Sequence, residues 1–194
     1  MQPAPRCPKC ANTQLVPSRR NDPGARKDAL SCPQCHGMWL PRTDAEFLAR
    51  QGAVPSEALP GPAPVPASDA DRRTGPCPFG HGLMGRARVD LDTAFYLERC
   101  LHCGGVWFDA GEWQRLATSH LLGSLLEFWT PAWRWRSQQE RARKADLERL
   151  SARLGPELFE KLQSVAAALS QHPAREEALS FLLAEARPRD NTSQ

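Results

Sequence analysis

The alternation of apolar and polar residues predicts short β-strands before residue 100. Val89 and Leu91 alternate with polar residues, and Phe95 and Leu97 do the same just before Cys100. Period-2 alternation on both sides of a polar stretch is typical of a β-hairpin. A shorter apolar pair, Leu15-Val16, precedes Asn21-Asp-Pro-Gly24, whose composition predicts a turn.

An amphipathic helix is predicted to follow Asp109. The segment Asp109-Ala-Gly-Glu112 has the form of a capping box, with Asp109 as the N-cap and Glu112 reaching back to it. A weaker equivalent is Thr43-Asp-Ala-Glu46, in which Thr43 is the predicted cap and Gly52 the predicted helix end. After Glu112, helical spacing continues as far as Pro131 through Trp113, Leu116, Ala117, Leu121, Leu125 and Trp129.

Beyond Pro131 the pattern predicts helices only. One is expected over residues 133–154, and Gly155-Pro156 marks its end and the start of the next. Pro173 is expected to start a third helix. The simplest interpretation is a helical bundle that buries Phe159, Leu162, Val165, Ala166 and Leu169 of the second helix and Leu179, Leu182, Leu183 and Ala186 of the third.

An internal repeat relates the two halves of the first 118 residues. The segment from Cys32 to Leu40 aligns with that from Cys100 to Phe108 at a constant offset of 68, with two cysteines, a glycine and a tryptophan in common. Upstream, Cys7-Pro8 aligns with Cys77-Pro78 at an offset of 70. Six prolines fall within 51–76 and predict an extended spacer between the repeats.

Cysteine spacing predicts a metal site in each repeat. Two Cys-x-x-Cys turns separated by about twenty residues present four sulfurs to one tetrahedral zinc ion. The second repeat lacks one cysteine, and a histidine one position further on is the expected substitute. The predicted ligands are Cys7, Cys10, Cys32 and Cys35 for one zinc ion, and Cys77, His81, Cys100 and Cys103 for a second. Disulfides or a redox-active pair are the alternative for these cysteines.

The fold class that follows is a small metal-stabilised α+β protein with an all-α C-terminal region. We predict a first zinc ribbon at 1–52, a proline-rich linker at 53–75, a second ribbon at 76–120 and helices over 121–194. A unit of about 45 residues buries too small an apolar core to fold without a metal or a disulfide.

Charge and composition narrow the expected function. The formal charge is +3, and seven thiolates with two zinc ions would bring it to about zero. Such a chain is not a strongly basic nucleic-acid binder, although the first ribbon is mildly basic. With no secretory signal expected at the N-terminus and no apolar run of ~18 residues, we expect a soluble cytoplasmic protein whose thiols stay reduced.

Both repeats resemble the bacterial zinc-ribbon domain named after the zinc finger of transcription factor IIB. The resemblance rests on Cys-Pro-x-Cys, a spacer of about twenty residues, and a second Cys-x-x-Cys followed by x-Gly-x-Trp, over about 7–50 and 77–118. It implies zinc binding and, by name, transcription-related contacts. Pro41 stands where the second repeat has Asp109, and His81 replaces a cysteine; residues 119–194 lie outside the resemblance.

Other aromatic and histidine residues have structural interpretations. Trp39 and Trp107 are each expected to cover the zinc site of their own ribbon. His36 and His102 are expected to be exposed and not to bind metal. The segment 128–136, rich in tryptophan and arginine, is expected to pack two helices at Pro131, with base stacking as the alternative.

The resulting functional hypothesis is a non-enzymatic adaptor that binds a protein, a nucleic acid or both. A protein partner is favoured, and weak nucleic-acid contact is assigned to the first ribbon. No HExxH, Ser/His/Asp or phosphate-loop motif is found in the sequence. The alternative is a thiol-zinc redox switch or a holdase-like chaperone, in which oxidation releases zinc.

Overall fold

The computed structural model describes residues 4–10, 12–18, 28–51, 71, 73–91 and 93–187. The predicted turn at 21–24, the predicted helix end at Gly52 and most of the predicted linker lie outside these residues. The chain divides into a first unit, Met1–Ser137, and a second, Gln138–Gln194.

The first unit is built on one six-stranded antiparallel sheet. The predicted first ribbon contributes β1 (Val16–Pro17), β2 (Leu30–Ser31) and β3 (Met38–Leu40), and the predicted second ribbon contributes β4 (Gly85–Val89), β5 (Phe95–Arg99) and β6 (Val106–Phe108). The strand order is β1-β2-β3-β6-β5-β4. The pairing of β4 with β5 confirms the predicted hairpin.

The two ribbons meet at the centre of this sheet. Strands β3 and β6 pair antiparallel, with Trp39 opposite Trp107 and the flanking residues paired symmetrically around them. We expected two ribbons with separate surfaces joined by a spacer, whereas the structure joins their strands directly. A three-residue strand such as β3 would otherwise expose an unpaired edge, and β6 removes that edge.

The two faces of the sheet carry different clusters, because successive side chains of a strand point to opposite sides. Leu40, Val106 and Phe108 lie on the face that holds the main apolar core. Trp39 and Trp107 lie on the other face and belong to a second cluster with the cysteines. The face of the sheet that carries the predicted ligands is therefore shared by both ribbons.

The described residues contain five helices: α1 (Arg42–Gln51), α2 (Glu112–Thr118), α3 (Pro131–Leu154), α4 (Pro156–Leu169) and α5 (Arg175–Glu185). Two 3-10 turns, Leu122–Ser124 and Glu127–Trp129, lie between α2 and α3. The break between α3 and α4 at Gly155 and the start of α4 at Pro156 follow the prediction.

The predicted continuous helix as far as Trp129 is wrong. Helix α2 ends at Thr118, where His120 adopts a φ of 55° and its N–H donates to the Ala117 carbonyl. The N–H of Leu121 donates to the Leu116 carbonyl, so the end is a Schellman motif with histidine in place of the usual glycine. This turn lets Leu122, Leu125 and Phe128 reach the core, where all three are buried.

Both predicted helix caps need correction. Thr43 lies inside α1, which begins one residue earlier at Arg42. The N-cap of α2 is Gly111, not Asp109. Glu112 does accept from the Asp109 N–H at 2.8 Å, but the Asp109 side chain accepts from Trp107 Nε1 instead of capping the helix. The Asp109 carboxylate takes this role because a buried indole N–H without an acceptor would be costly.

The second unit contains the remainder of α3 with α4 and α5. The predicted helices are present, but α4 and α5 bury no residue. The predicted burial of Leu162 and Val165 in α4 and of Leu183 in α5 is wrong, since they are 46%, 42% and 70% exposed. Among the described residues, no helix is long and apolar enough to cross a bilayer.

Candidate metal centres

The first predicted ligand set is brought together by two turns of the first ribbon. Cys7 and Cys10 lie before β1, and Cys32 and Cys35 lie between β2 and β3. Ligand atoms of all four residues lie within 4.8 Å of one another. The Sγ atoms of Cys7 and Cys35 are 3.6 Å apart.

The turns are shaped by backbone hydrogen bonds to sulfur. The N–H groups of Lys9 and Cys10 donate to Cys7 Sγ at 3.4 and 3.3 Å, and the Cys35 N–H lies 3.5 Å from Cys32 Sγ. The second ribbon repeats this pattern, with the Cys103 N–H 3.4 Å from Cys100 Sγ. Donors directed at sulfur stabilise the thiolate form that binds metal.

The second set has the same arrangement with a histidine in one position. Cys77, His81, Cys100 and Cys103 offer ligand atoms within 4.8 Å of one another. Nδ1 of His81 lies 3.4 Å from Cys77 Sγ and 3.8 Å from Cys100 Sγ, and the Sγ atoms of Cys77 and Cys103 are 3.8 Å apart. His81 is the only exposed member of the set.

These separations fit a tetrahedral zinc ion. With Zn–S of about 2.3 Å and Zn–N of about 2.0 Å, tetrahedral angles place two sulfurs about 3.8 Å apart and a sulfur and a nitrogen about 3.5 Å apart. Each set supplies four donors, all of the soft or imidazole type that zinc prefers. Both sets therefore suit a closed zinc site in the chemistry of their donors and in their spacing.

Burial by itself opposes ionisation of several of these thiols. Burial raises the pKa of Cys77 to about 12 and that of Cys10 to about 11; the hydrogen bond with Cys35 opposes the shift at Cys10, and the charges of Cys7 and Cys32 add to it. The hydrogen bond with Cys35 lowers the pKa of Cys7 to about 5, which favours the thiolate form of this sulfur. A divalent cation at the centre offsets the repulsion that several buried thiolates would otherwise feel.

Each tryptophan packs beside the other ribbon's cysteine turn, a contact that was not predicted from the sequence. A Cβ placed on Gly37 would lie 2.2 Å from Cζ2 of Trp107, and one on Gly105 would lie 2.0 Å from Cζ2 of Trp39. Each indole thus packs on the glycine beside the other ribbon's cysteine turn, and both glycines are needed for lack of a side chain. The two predicted ligand sets are joined through this reciprocal packing.

A buried polar network also links the ribbons, and sequence reasoning missed it. Lys9 lies between Cys7 and Cys10, and its Nζ reaches Glu98 Oε1 at 2.9 Å and Asp109 Oδ2 at 3.5 Å in the other ribbon. The Lys9 and Glu98 side chains are 5% and 1% exposed. Burial raises the pKa of Glu98 and of Asp109, and the Lys9 ammonium opposes both shifts. Glu98, an acidic residue inside strand β5, was the feature of the sequence that could have indicated a buried ion pair.

The histidines outside the ligand sets and the 128–136 segment were also predicted to have structural roles. His36 and His102 are exposed, as expected. The ring of His102 lies 4.5 Å from that of His81, although His102 is not in the ligand set. In the 128–136 segment, Trp133 packs on buried Phe128 at 4.6 Å between ring centroids, whereas Trp135 is 63% exposed, so the predicted packing role holds for only part of the segment.

Comparison with known families bears on the first site. The model of the transcription factor zinc-finger family, a TFIIB-type zinc ribbon, matches residues 6–51, which is 46 of the 194 residues. The matched segment contains all four cysteines of the first set, which supports zinc binding there. No curated protein and no solved structure matches the chain.

Proposed function

We propose that the chain binds two zinc ions in two TFIIB-type ribbons and acts as a non-enzymatic adaptor for a protein partner. The observation that carries this proposal is the pair of complete four-donor sets on one sheet. Four protein donors leave no position for a water or a substrate on a tetrahedral zinc ion. The metal would then act on folding, by holding turns that the small core cannot hold.

The state of the cysteines supports this assignment. None of the seven forms a disulfide, and all seven belong to the two sets. Unpaired thiols at these spacings fit a metal protein of a reducing compartment such as the cytoplasm. The site that the family match leaves unassigned, in the second ribbon, is supported by the repeat and by its geometry.

Metal analysis of the purified chain tests the zinc assignment. Two zinc ions per chain are expected, and removal by a strong chelator should unfold the 1–137 unit as seen by circular dichroism and tryptophan fluorescence. One zinc per chain would contradict the two-site proposal. A metal-free chain that keeps its fold would contradict the structural role of the metal.

The adaptor role is tested by partner capture with the zinc-loaded chain. A protein partner should be retained after nuclease treatment, and the amount bound should change little between 50 and 300 mM salt. Binding that disappears with nuclease, or falls steeply with salt, would instead indicate phosphate contacts.

One observation favours a second candidate, a thiol-zinc redox switch. His81 is exposed, so the second set is open to oxidants from one side. If it is such a switch, mild peroxide should release one zinc ion and confer protection of a model client from aggregation. Zinc release without holdase activity would remove this candidate.

A further inference from the structure

The pseudo-symmetry of the two ribbons is broken around their central tryptophans. Trp107 is paired across the sheet with Glu98, and Trp39 is paired with Leu30, the residue at the same offset of 68. Asp109 in the second ribbon corresponds to Pro41 in the first. Lys9, between the first two cysteines, corresponds to Phe79 at the offset of 70.

Around Trp107 the protein supplies its own carboxylate. Trp107 Nε1 donates to Asp109 Oδ1 at 2.8 Å, and Lys9 Nζ lies 3.5 Å from the other oxygen. Asp109 is only 6% exposed. In this half of the sheet, the hydrogen-bond partner of the indole N–H is therefore a buried carboxylate, and that carboxylate also lies beside the Lys9 ammonium.

Around Trp39 the equivalent space is open. A cavity of about 310 Å³ lies there, lined by Trp39, Pro41, Arg42 and Phe79, with the predicted ligands His81 and Cys103 at one side. Phe79 is 41% exposed, and its ring lies 5.8 Å from that of Trp39. Among the described residues no hydrogen bond engages Trp39 Nε1, because Pro41 has no side-chain acceptor.

A positively charged side chain, Arg42, lies at the edge of this cavity. The Arg42 side chain is 63% exposed, and its Nε donates to Glu46 Oε1 at 2.5 Å. The terminal nitrogens of its guanidinium make no hydrogen bond with any described residue. The cavity therefore offers an aromatic wall, an indole donor and guanidinium donors to one ligand.

We propose that this cavity binds a peptide segment in which an apolar side chain is followed by an aspartate or glutamate. The carboxylate would accept from Trp39 Nε1 and Arg42, as Asp109 accepts from Trp107 Nε1 and Lys9, and the apolar side chain would pack on Phe79. The volume suits one or two side chains. This inference rests on the proposed adaptor function and names the chemistry of the partner.

The test uses the zinc-loaded full chain and fluorescein-labelled hexapeptides carrying Leu-Asp, Phe-Asp or Trp-Asp at their centre. The matched controls carry Asn in place of Asp. Saturable binding of at least one Asp peptide is expected, with at least 10-fold weaker binding of its Asn control, because a charge-assisted hydrogen bond contributes more than a neutral one. Equal affinity for the two, or no binding by any peptide, would overturn the proposal.

The variant Pro41→Asp supplies the missing carboxylate within the chain. It should weaken peptide binding at least 10-fold, whereas Thr43→Asp, which adds the same charge at an exposed position outside the cavity, should stay within about threefold. Of the six tryptophan indole N–H signals in an NMR spectrum, the one moved by peptide should be the one moved by Pro41→Asp. Arg42→Gln is the second variant, since an exposed side chain can be changed without unfolding, and about 10-fold weaker binding is expected.

The remaining outcomes separate this proposal from the adaptor function. If Pro41→Asp binds peptide as tightly as the unmodified chain, or a single-stranded oligonucleotide displaces the peptide, the cavity is not an acidic-peptide site. If a captured protein partner is retained equally by the unmodified chain and by Pro41→Asp, this site is wrong but the adaptor function stands. If the unmodified chain retains no partner, the adaptor function itself fails.

Discussion

Trp39 and Trp107 are paired directly across strands β3 and β6, and each indole lies against the glycine that follows the other ribbon's second cysteine turn. The two rings and the cysteines form one buried cluster. Packing that is reciprocal in this way makes each ribbon part of the other's core. Changes at either glycine should therefore be felt in both halves of the sheet.

Adding a methyl group at these glycines tests the reciprocal packing. Gly37→Ala and Gly105→Ala should each destabilise the zinc-loaded chain by about 1–3 kcal/mol, because the new Cβ overlaps a rigid indole. Thermal unfolding measures the effect. Gly85→Ala is the control, since its Cβ would meet Leu101 at an ordinary 3.4 Å. Unchanged stability of Gly37→Ala would show that Trp107 does not occupy this position.

Removing the predicted histidine ligand tests the mixed site. His81→Ala should lower the zinc content from two ions per chain toward one, because three thiolates remain and the fourth position opens to water. Atomic absorption after dialysis against a weak chelator measures it. His102→Ala should keep both ions, although its ring lies beside that of His81. If His102→Ala loses zinc and His81→Ala does not, the fourth ligand is His102 and the assignment to His81 is wrong.

The buried ion network gives a third prediction. Lys9→Met should destabilise the chain by about 3–5 kcal/mol, because it removes the buried ammonium that lies between the Glu98 and Asp109 carboxylates and leaves Glu98 only the more distant Arg86, at 3.9 Å. The double variant Lys9→Met with Glu98→Leu should recover part of this loss. Urea unfolding measures both. Lys161→Met, which breaks an exposed pair with Glu157, should change the free energy of unfolding by less than about 0.5 kcal/mol.

The pH dependence of stability should respond to Glu112. Burial, and then the nearby Asp109 carboxylate, raises the pKa of Glu112 well above its ordinary 4.5. Above 4.5 and below this raised pKa, the folded chain holds a proton that the unfolded chain has lost, so this group makes folding less favourable as pH rises. Glu112→Gln keeps an acceptor for the Asp109 N–H and removes the charge.

The measurement is unfolding of both proteins in excess zinc between pH 5.5 and 8. Zinc affinity changes with pH in both, so the informative quantity is the difference between them. Glu112→Gln should gain stability relative to the unmodified chain as pH rises. A difference that stays constant across this range would mean that Glu112 titrates normally.

The sequence was sufficient for the local features and not for the long-range ones. Cysteine spacing predicted which donors assemble, since two short turns bring them together whatever surrounds them. The hairpin before Cys100 was predicted because its alternation is local. The pairing of β3 with β6 was not, since the apolar run Met38, Trp39 and Leu40 is consistent with a buried strand but does not show which strand pairs with its free edge.

Other failures have similar causes. Helix α2 ends in a left-handed residue that is histidine, and no glycine marks the position in the sequence. The helical spacing of α4 predicted a buried face, yet periodicity reports an amphipathic surface and not whether anything covers it. Lys9 reads as a surface residue until the fold places two carboxylates from the other ribbon around it.

The covalent joining of the two ribbons has a consequence for how they can diverge. In a homodimer of single ribbons, the rotation axis would pass between the paired tryptophans, and one residue type would have to serve both flanking positions. Within one polypeptide that constraint is absent, so Lys9 can close one side while Phe79 leaves the other open. Fusion thus permits an asymmetric surface on a symmetric scaffold.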